Sequence, residues 1–499
     1  MDPNTLRCCT TKPRIIVTSD ISNEPDDAQS LVRYLLYSNE FDTLGLVACT
    51  SNSLKDRVYP EDMETIIRAF GTVVNNLNAH VHPNNQYPTA DHLLSLVKTG
   101  PPVFGRQALQ PDVPISSGAM TIINSLESST ESLWVLCWGG FNVIAQALYH
   151  LQKAKPAAEF AQLRSRLRVY AISDQDDTGV WIRINFPDIF YICSLYGWNQ
   201  LILGAWNGMS GELNAPFLDA GGPDTSLVDR SWVKKHIQSI GPLGAVYPDY
   251  TFAVEGDTPS FLHLIQNGLG SPDYPEWGGW GGRYILVDLS GQTNHYADTV
   301  DRVIGKNGEA FISPRATIWR WREAYQNDFA ARMQWTLSPD RAAANHAPVA
   351  VVNGSLPGPE MVHLEVEPGS EILLDASASY DPDGGRLSFH WQQYKEPTKA
   401  HAEIHWLTVG EVKVTAENDD GSIVKVAIPE PHICAMHPLT GEAVERGQLL
   451  HLVLEVRDDG VPAMLSYKRI LLQVVNGRLK GGTGKSFMTW GEAYASYLG

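Results

Sequence analysis

The sequence predicts an α/β fold with a mostly parallel sheet and helices on both faces, followed by an all-β domain. From Arg14 to about Trp335, short β-branched runs alternate with longer helix-like segments, the pattern of a parallel sheet. From Pro348 to about Val475, short alternating strands are separated by Pro, Gly and Asp, which predicts a β-sandwich. A chain of 499 residues exceeds one typical core and should divide into domains.

Each predicted strand is a short apolar or alternating run bounded by turn-forming residues. In the first domain these runs are 14–19, 44–49, 133–137, 167–172 and 201–203. In the sandwich they are 363–366, 371–374, 387–393, 422–428 and 449–456. The predicted organisation is a disordered start (1–13), the α/β domain (14–340), a linker (341–347), the sandwich (348–476) and a tail (477–499) in which Trp490 and Tyr494 could pack back on the body.

The first strand ends in a cluster of carboxylates: Asp20, Glu24, Asp26 and Asp27 lie within eight residues, just before a helix-like stretch. In open α/β sheets, ligands bind at the carboxyl ends of the strands. So many carboxylates repel one another unless a cation or proton relieves them. Ca²⁺ suits such an irregular set of oxygen donors. Helix capping by Asp is the alternative, but it accounts for one Asp better than for three.

The composition excludes several classes of function. Lys and Arg total 38 and Asp and Glu total 56, a net charge of −18, which argues against binding to nucleic acid polymers. No apolar stretch approaches the roughly 18 residues of a membrane span, and the amino terminus has no secretory signal. These features predict a cytoplasmic protein, with secretion as the alternative. The six cysteines show no paired metal-ligand spacing.

The spacing Asp-x(5)-Asp-Asp after a strand resembles the Asp-x-Asp-Pro-Gly-x-Asp-Asp signature of calcium-dependent nucleoside hydrolases, with two extra residues. The resemblance implies that Asp20 and Asp27 bind calcium and that Asp26 removes a proton from the attacking water. Residues 44–52 are similar to the family's second strand, whose terminal Asn corresponds to Asn52.

Three later segments follow the same family in the same order. Residues 133–145 resemble the strand, loop and helix that supply a backbone carbonyl to the metal, here that of Trp138. Residues 183–188 are similar to the sugar-binding segment, with Asn185 in place of the family's ribose-contacting Asn and Arg183 beside it. Residues 255–262 match the late His-Asp step, which implies Asp257 as the final calcium ligand.

The main departure is Gly256, which stands where the family has the His that protonates a purine leaving group in some members. The alternatives for stabilising the leaving group are an aromatic stack, Glu255, Arg183 or solvent. His263, one turn beyond Asp257, is a further candidate, although a helix residue is the simpler interpretation.

The whole pattern is closer to a divergent branch, the nucleoside-hydrolase-like domain of bacterial cellulose-binding proteins and their fungal relatives. This resemblance implies a calcium-dependent hydrolase that cleaves the N-glycosidic bond of a ribonucleoside or related ribosylated small molecule. The partner would then be a nucleoside or glycoside, and a homo-oligomer is compatible with the sequence. The alternative is a protein that binds cellulose or another glycan on a hydrolase-like scaffold.

Three other segments have two interpretations each. The aromatic and glycine-rich residues 274–284 could stack on a ligand or form a packing loop, and Arg283 in this segment could pair with Glu276 or Asp273. The acidic loop 174–177 could line the pocket or be solvated. Residues 374–384 and 387–391 resemble polycystic-kidney-disease-like modules, which implies that the sandwich is immunoglobulin-like. The Asp-Pro-Asp-Gly turn at 381–384 within them is more typical of a tight turn than of a second calcium site.

Overall fold

The computed structural model describes residues 2–9, 11–196, 200–288, 290–399, 409–437 and 442–479. The strands are β1 (Arg14–Ser19), β2 (Asp42–Ala48), β3 (Val97–Thr99), β4 (Leu133–Cys137), β5 (Leu167–Ser173), β6 (Phe190–Ser194), β7 (Tyr284–Leu286), β8 (His295–Asp298), β9 (Asp301–Ile304), β10 (Ala310–Ser313), β11 (Val362–Val366), β12 (Glu371–Asp375), β13 (Ser388–Gln393), β14 (Lys413–Ala416), β15 (Ile423–Ala427), β16 (Arg446–Arg457) and β17 (Leu465–Val475).

The α-helices are α1 (Pro25–Tyr37), α2 (Pro60–Gly71), α3 (Val74–Ala79), α4 (Ala90–Ser95), α5 (Ser117–Glu127), α6 (Asn142–Ala154), α7 (Ala157–Arg164), α8 (Asp177–Asn185), α9 (Arg230–Val233), α10 (Gly241–Ala245), α11 (Pro259–Leu262), α12 (Ala316–Trp319), α13 (Arg322–Trp335), α14 (Lys395–Lys399) and α15 (Pro431–Cys434). In the described parts of the chain, no helix is both long and apolar enough to cross a membrane.

An eight-stranded sheet in the order β3-β2-β1-β4-β5-β6-β8-β7 forms the centre of the first domain. Its pairs are parallel except for β7 with β8. The side chains of β1 are divided between two apolar cores: Ile15 and Val17 belong to one, and Ile16 to the other. This division places helices on both faces of the sheet and confirms the predicted fold class.

The strand order reverses at β1, which lies between β2 and β4. The chain winds from β1 to one edge of the sheet and then returns to the other side of β1. Such a switch point leaves a crevice at the carboxyl ends of the strands, where ligands bind in open α/β sheets. The loops after β1 and β4 therefore border the crevice.

The C-terminal domain contains a four-stranded sheet, β11-β17-β16-β13, and a three-stranded sheet, β12-β15-β14. Leu452, Leu454, Ile470 and Leu472 from the first sheet share a buried cluster with Leu374, Val424 and Val426 from the second. These β-rich sheets agree with the predicted sandwich.

The two domains pack against each other through residues 274–284. Trp277 and Trp280 are buried, and their rings meet His451 and Tyr467 of the sandwich at centroid distances of 5.3 and 6.3 Å. Arg469 donates to the carbonyl oxygens of Trp277 and Gly278 at 3.0 and 3.1 Å. The packing interpretation of this segment is therefore confirmed, since both indoles contact the second domain.

Some local predictions are wrong. Residues 201–203 form a 3₁₀ helix rather than a strand, because local bonds such as Gly204 N–H to Leu201 O use backbone groups that a strand would pair with a neighbour. Arg283 pairs with Asp301 at 2.6 Å, not with Glu276 or Asp273.

The Asp-Pro-Asp-Gly segment forms the tight turn that its sequence predicts. Asp381 accepts hydrogen bonds from the backbone N–H groups of residues 383 and 385.

The described part of the predicted disordered start is ordered. Residues Pro3–Thr5 form a 3₁₀ helix, and the buried Cys9 donates its backbone N–H to Asn85 Oδ1 at 2.9 Å. This contact ties the segment to the first domain. The domain boundaries stay predictions, and Trp490 and Tyr494 of the predicted tail lie outside the described residues.

Candidate functional site

The loop after β1 supplies the first carboxylates of the site. Asp20 is 2% exposed, and its Oδ2 has no hydrogen-bond partner among the described residues. Pro25 is the first residue of α1, with Asp26 and Asp27 in the first helical turn. Glu24 is the N-cap residue and makes no side-chain capping bond, so capping does not explain the Asp pair.

Asp257 enters the site from a loop that α1 holds in place. Gln29 accepts the backbone N–H of Glu255 at 3.0 Å, and Arg33 pairs with the Glu255 carboxylate at 3.0 Å. Glu255 has a φ of 56°, a conformation that non-glycine residues adopt only where surrounding contacts enforce it. The same helix that presents Asp26 and Asp27 thus fixes the loop that presents Asp257.

One carboxylate oxygen from each of Asp26, Asp27 and Asp257 lies within 4.8 Å of the others. Asp27 and Asp257 are buried and Asp26 is half-buried. Burial, followed by the charges of Glu24 and Asp20, raises the pKa of Asp26 to about 7. Burial and the neighbouring carboxylates also raise the pKa of Asp27 and Asp257 well above the usual range. The bare cluster is therefore electrostatically costly.

Asp20 lies beside the loop that follows β4. A Cβ at Gly139 would lie 2.8 Å from Asp20 Oδ1, so only glycine permits this close approach. Burial raises the pKa of Asp20 to about 6. The backbone carbonyl of the adjacent Trp138, a predicted metal ligand, accepts a hydrogen bond from Gln175 Nε2. Sequence reasoning singled out the loop of Gln175 but did not assign this contact.

Asn52 also lies at the carboxyl ends of the strands, in the loop after β2. Its side chain is exposed, and its backbone N–H donates to the carbonyl of Gln175 at 2.7 Å. This bond joins the loop after β2 to the loop after β5 next to the crevice. Within the acidic loop 174–177, Asp176 caps α8 while the Gln175 amide reaches the Trp138 carbonyl.

Arg183 and Asn185 bond to residues outside the carboxylate cluster. Arg183 forms a bidentate pair with Asp174 at 2.8 and 2.6 Å. Asn185 is exposed at the carboxyl end of α8, where the chain returns toward the start of β6, and its amide donates to Trp181 O. That end of α8 points toward the amino ends of the strands, whereas the carboxylates lie at the carboxyl ends. Asn185 is therefore separated from the site.

Glu255 is buried and bonded to other side chains. Its side chain is 1% exposed, and besides Arg33 it accepts from Tyr247 OH at 2.7 Å and Thr258 Oγ1 at 3.1 Å. The predicted substrate contact of this residue stays a prediction; in this structure its carboxylate forms a buried ion pair with Arg33. His263 is buried between Trp134 and Tyr170, and burial lowers its pKa to about 4.

The residues at the cluster fit a hard divalent cation. Oxygen ligands predominate, and two buried carboxylate oxygens, Asp20 Oδ2 and Asp257 Oδ2, have no hydrogen-bond partner among the described residues. Buried charges without partners are rare unless they are neutralised or bind a metal. Ser19 Oγ donates to Asp27 Oδ1 and would orient that carboxylate.

Residues 14–284 match the family described as "Cellulose-binding Sde182, nucleoside hydrolase-like domain". The chain belongs to this family. Residues 371–474 match a second family, "Cellulose-binding protein Sde0182, C-terminal domain". Both matches agree with the family resemblance inferred from the sequence motifs.

A solved structure supports this membership of the Sde182 family. It is described as a nucleoside hydrolase-related hypothetical protein from Saccharophagus degradans that is associated with carbohydrate metabolism. It is 31% identical, the alignment covers 93% of this chain and 100% of that chain, and the TM-score is 0.73. The agreement confirms the nucleoside-hydrolase-like fold followed by a β-rich domain.

An inosine-uridine preferring nucleoside hydrolase from Bacillus anthracis is 14% identical over 65% of this chain and 99% of that chain, with a TM-score of 0.31. A likeness this low supports no inference about activity. Among curated proteins, none matches the chain.

Proposed function

We propose that this protein is a calcium-dependent hydrolase that cleaves the N-glycosidic bond of a ribosylated small molecule. The observation that carries the proposal is the meeting of three carboxylates within 4.8 Å, next to buried oxygens that have no partner among the described residues. Asp20, Asp27 and Asp257 would hold the ion. The Trp138 carbonyl accepts one hydrogen bond from Gln175 and has a second lone pair with which it could join them.

Bound calcium would orient a water and neighbouring sugar hydroxyls and lower the pKa of that water. Asp26 is half-buried at the edge of the cluster, so its carboxylate is open on one side to accept a proton as the water attacks the anomeric carbon. The surrounding carboxylates favour the positive charge of an oxocarbenium-like transition state. Asn52, exposed at the same edge, is the remaining candidate for contact with a sugar hydroxyl.

Glycan binding without turnover is the second candidate function. The observation that favours it is the description of both matching families as cellulose-binding. A pure binder needs no general base beside a metal, whereas a hydrolase does. Substitution of Asp26 therefore separates the two proposals.

The decisive experiment compares Asp26→Asn with Asp27→Asn and Asp257→Asn. Sugar release and calcium binding by titration calorimetry are measured in each variant. A hydrolase should lose turnover in all three but keep its calcium affinity only in Asp26→Asn. Asp56→Asn is the matched control, since this aspartate is 76% exposed and should change neither quantity. Equal activity in all variants would refute the assignment.

A further inference from the structure

A pocket of about 330 Å³ opens above Asp26. Its lining includes Glu24, Trp206, Asn214 and the 54% exposed Phe252. Among the described residues that line it, two carry carboxylates, two are aromatic, and none is a Lys, Arg or His. The pocket thus combines negative charge with aromatic faces.

Gly256 determines how close the Trp206 ring comes to the reacting groups. A Cβ at position 256 would lie 2.8 Å from Asp26 Oδ2 and 3.2 Å from Trp206 Cζ3. The indole and the carboxylate therefore flank the same glycine. A substrate whose anomeric carbon faces Asp26 can therefore place its leaving group along this ring.

The three side chains named above as candidates for stabilising a leaving group are engaged elsewhere. Glu255 is paired with Arg33, Arg183 is paired with Asp174, and His263 is buried beneath two aromatic rings. With Asp26 acting as the base, the pocket suits a leaving group that departs without gaining a proton. Such a group carries its positive charge before the bond breaks.

We propose that this pocket takes N-glycosides with a cationic heterocyclic leaving group, the N-ribosyl pyridinium class, and that Trp206 is the platform on which the heterocycle lies. The proposal rests on the proposed function and defines its substrate class. Trp is the best aromatic partner for a cation, and the Glu24 carboxylate adds a favourable charge. The net charge of −18 attracts cationic ligands at long range.

The reaction balances without an added acid. The oxygen of water bonds to the anomeric carbon, and the C–N bond breaks with its electron pair remaining on nitrogen. That pair neutralises the ring charge, so a neutral heterocycle leaves. The proton lost by the water passes to Asp26 and then to solvent.

The test compares N-ribosylnicotinamide with its dihydro form, which has nearly the same shape and no ring charge. Binding to the calcium-loaded Asp26→Asn variant is measured by calorimetry, so that turnover does not interfere. We expect the cationic form to bind at least about tenfold more tightly, within the range of a desolvated cation–π contact. Adding Trp206→Ala should remove about tenfold for the cationic form only, and adding Trp206→Phe should retain most of the affinity.

Equal affinity for the two forms, or an equal loss of both in Trp206→Ala, would overturn the inference. Trp206→Phe keeps the test decisive if the alanine variant does not fold. The two proposals also fail separately. Calcium-dependent hydrolysis of neutral nucleosides without a preference for the cation would refute only the substrate class. Selective, Trp206-dependent binding of the cation with no sugar release would refute only the hydrolysis.

Discussion

Gly256 and Asp26 approach so closely that a Cβ at position 256 would lie 2.8 Å from Asp26 Oδ2. Nucleoside hydrolases that this chain resembles carry a His at the equivalent position. Here any side chain would displace Asp26 or Trp206, which lies 3.2 Å from the same Cβ position. The positions of Asp26 and Trp206 therefore depend on the absence of a side chain at position 256.

Restoring a side chain at position 256 should reduce activity rather than improve it. Overpacking a well-filled site costs about 1–3 kcal/mol, so we expect Gly256→Ala to lower kcat/KM by about tenfold or more. Gly256→His should be at least as inactive. Gly270→Ala is the matched control, because its Cβ would meet nothing closer than 3.6 Å. An active Gly256→His variant would contradict this account.

Calcium should raise the melting temperature, and a chelator should lower it. The bare carboxylates repel one another, so an ion that binds only the folded protein stabilises it. At a calcium concentration one hundred times Kd, the expected gain is about 2.7 kcal/mol. Differential scanning calorimetry with calcium and with chelator measures the shift. It should nearly vanish in Asp257→Asn, and a full shift in that variant would remove Asp257 from the ligand set.

Breaking the pair between Arg33 and Glu255 should destabilise the fold. Both side chains are at most 1% exposed, and Nε lies 3.0 Å from Oε2. Arg33→Met leaves a buried charge without its main partner, at an expected cost of about 3–5 kcal/mol in the free energy of unfolding. Urea denaturation measures the loss.

The double variant Arg33→Met/Glu255→Leu should recover part of that stability, because no unpaired charge remains. If Glu255 bound substrate instead, its replacement would raise KM and leave the urea midpoint unchanged. Measuring both quantities in Glu255→Gln distinguishes the two roles.

Glu276 should make stability depend on pH. Burial raises its pKa from the usual 4.5 to about 7, and its Oε2 has no partner among the described residues. A raised folded-state pKa means that the stabilising contribution is complete below pH 4.5 and is lost as pH rises through about 7.

Glu276→Gln should therefore be more stable than the parent at pH 8, by up to about 3 kcal/mol, and similar to it near pH 4.5. Unfolding midpoints at the two pH values measure the difference. A constant offset between the two proteins would show that Glu276 does not titrate in this range.

The local sequence pattern was sufficient for β1, β2, β4 and β5, because buried parallel strands are continuous apolar runs. It was also sufficient to place Asp20, Asp26 and Asp27 at a strand end. Position in the sequence did not reveal which side chains are already held in ion pairs or hydrogen bonds. Glu255 pairs with a residue 222 positions earlier, and no local pattern encodes such a contact.

The same limit applies to Asn185 and Trp206. Asn185 matches a motif, but it falls at the end of α8 rather than at its start, and a helix of nine residues carries it away from the crevice. Trp206 lies in a 3₁₀ turn, Ala205–Gly208, without a recognisable sequence motif, and only the folded chain places it beside Gly256.

The most direct test of the central claim is sugar release from a panel of ribosides by the purified protein, with calcium and with a chelator. The panel contains purine, pyrimidine and pyridinium ribosides, and Asp26→Asn serves as the inactive control. We predict calcium-dependent release that disappears in Asp26→Asn. No release from any riboside, or release unaffected by the chelator, would contradict a calcium-dependent hydrolytic site.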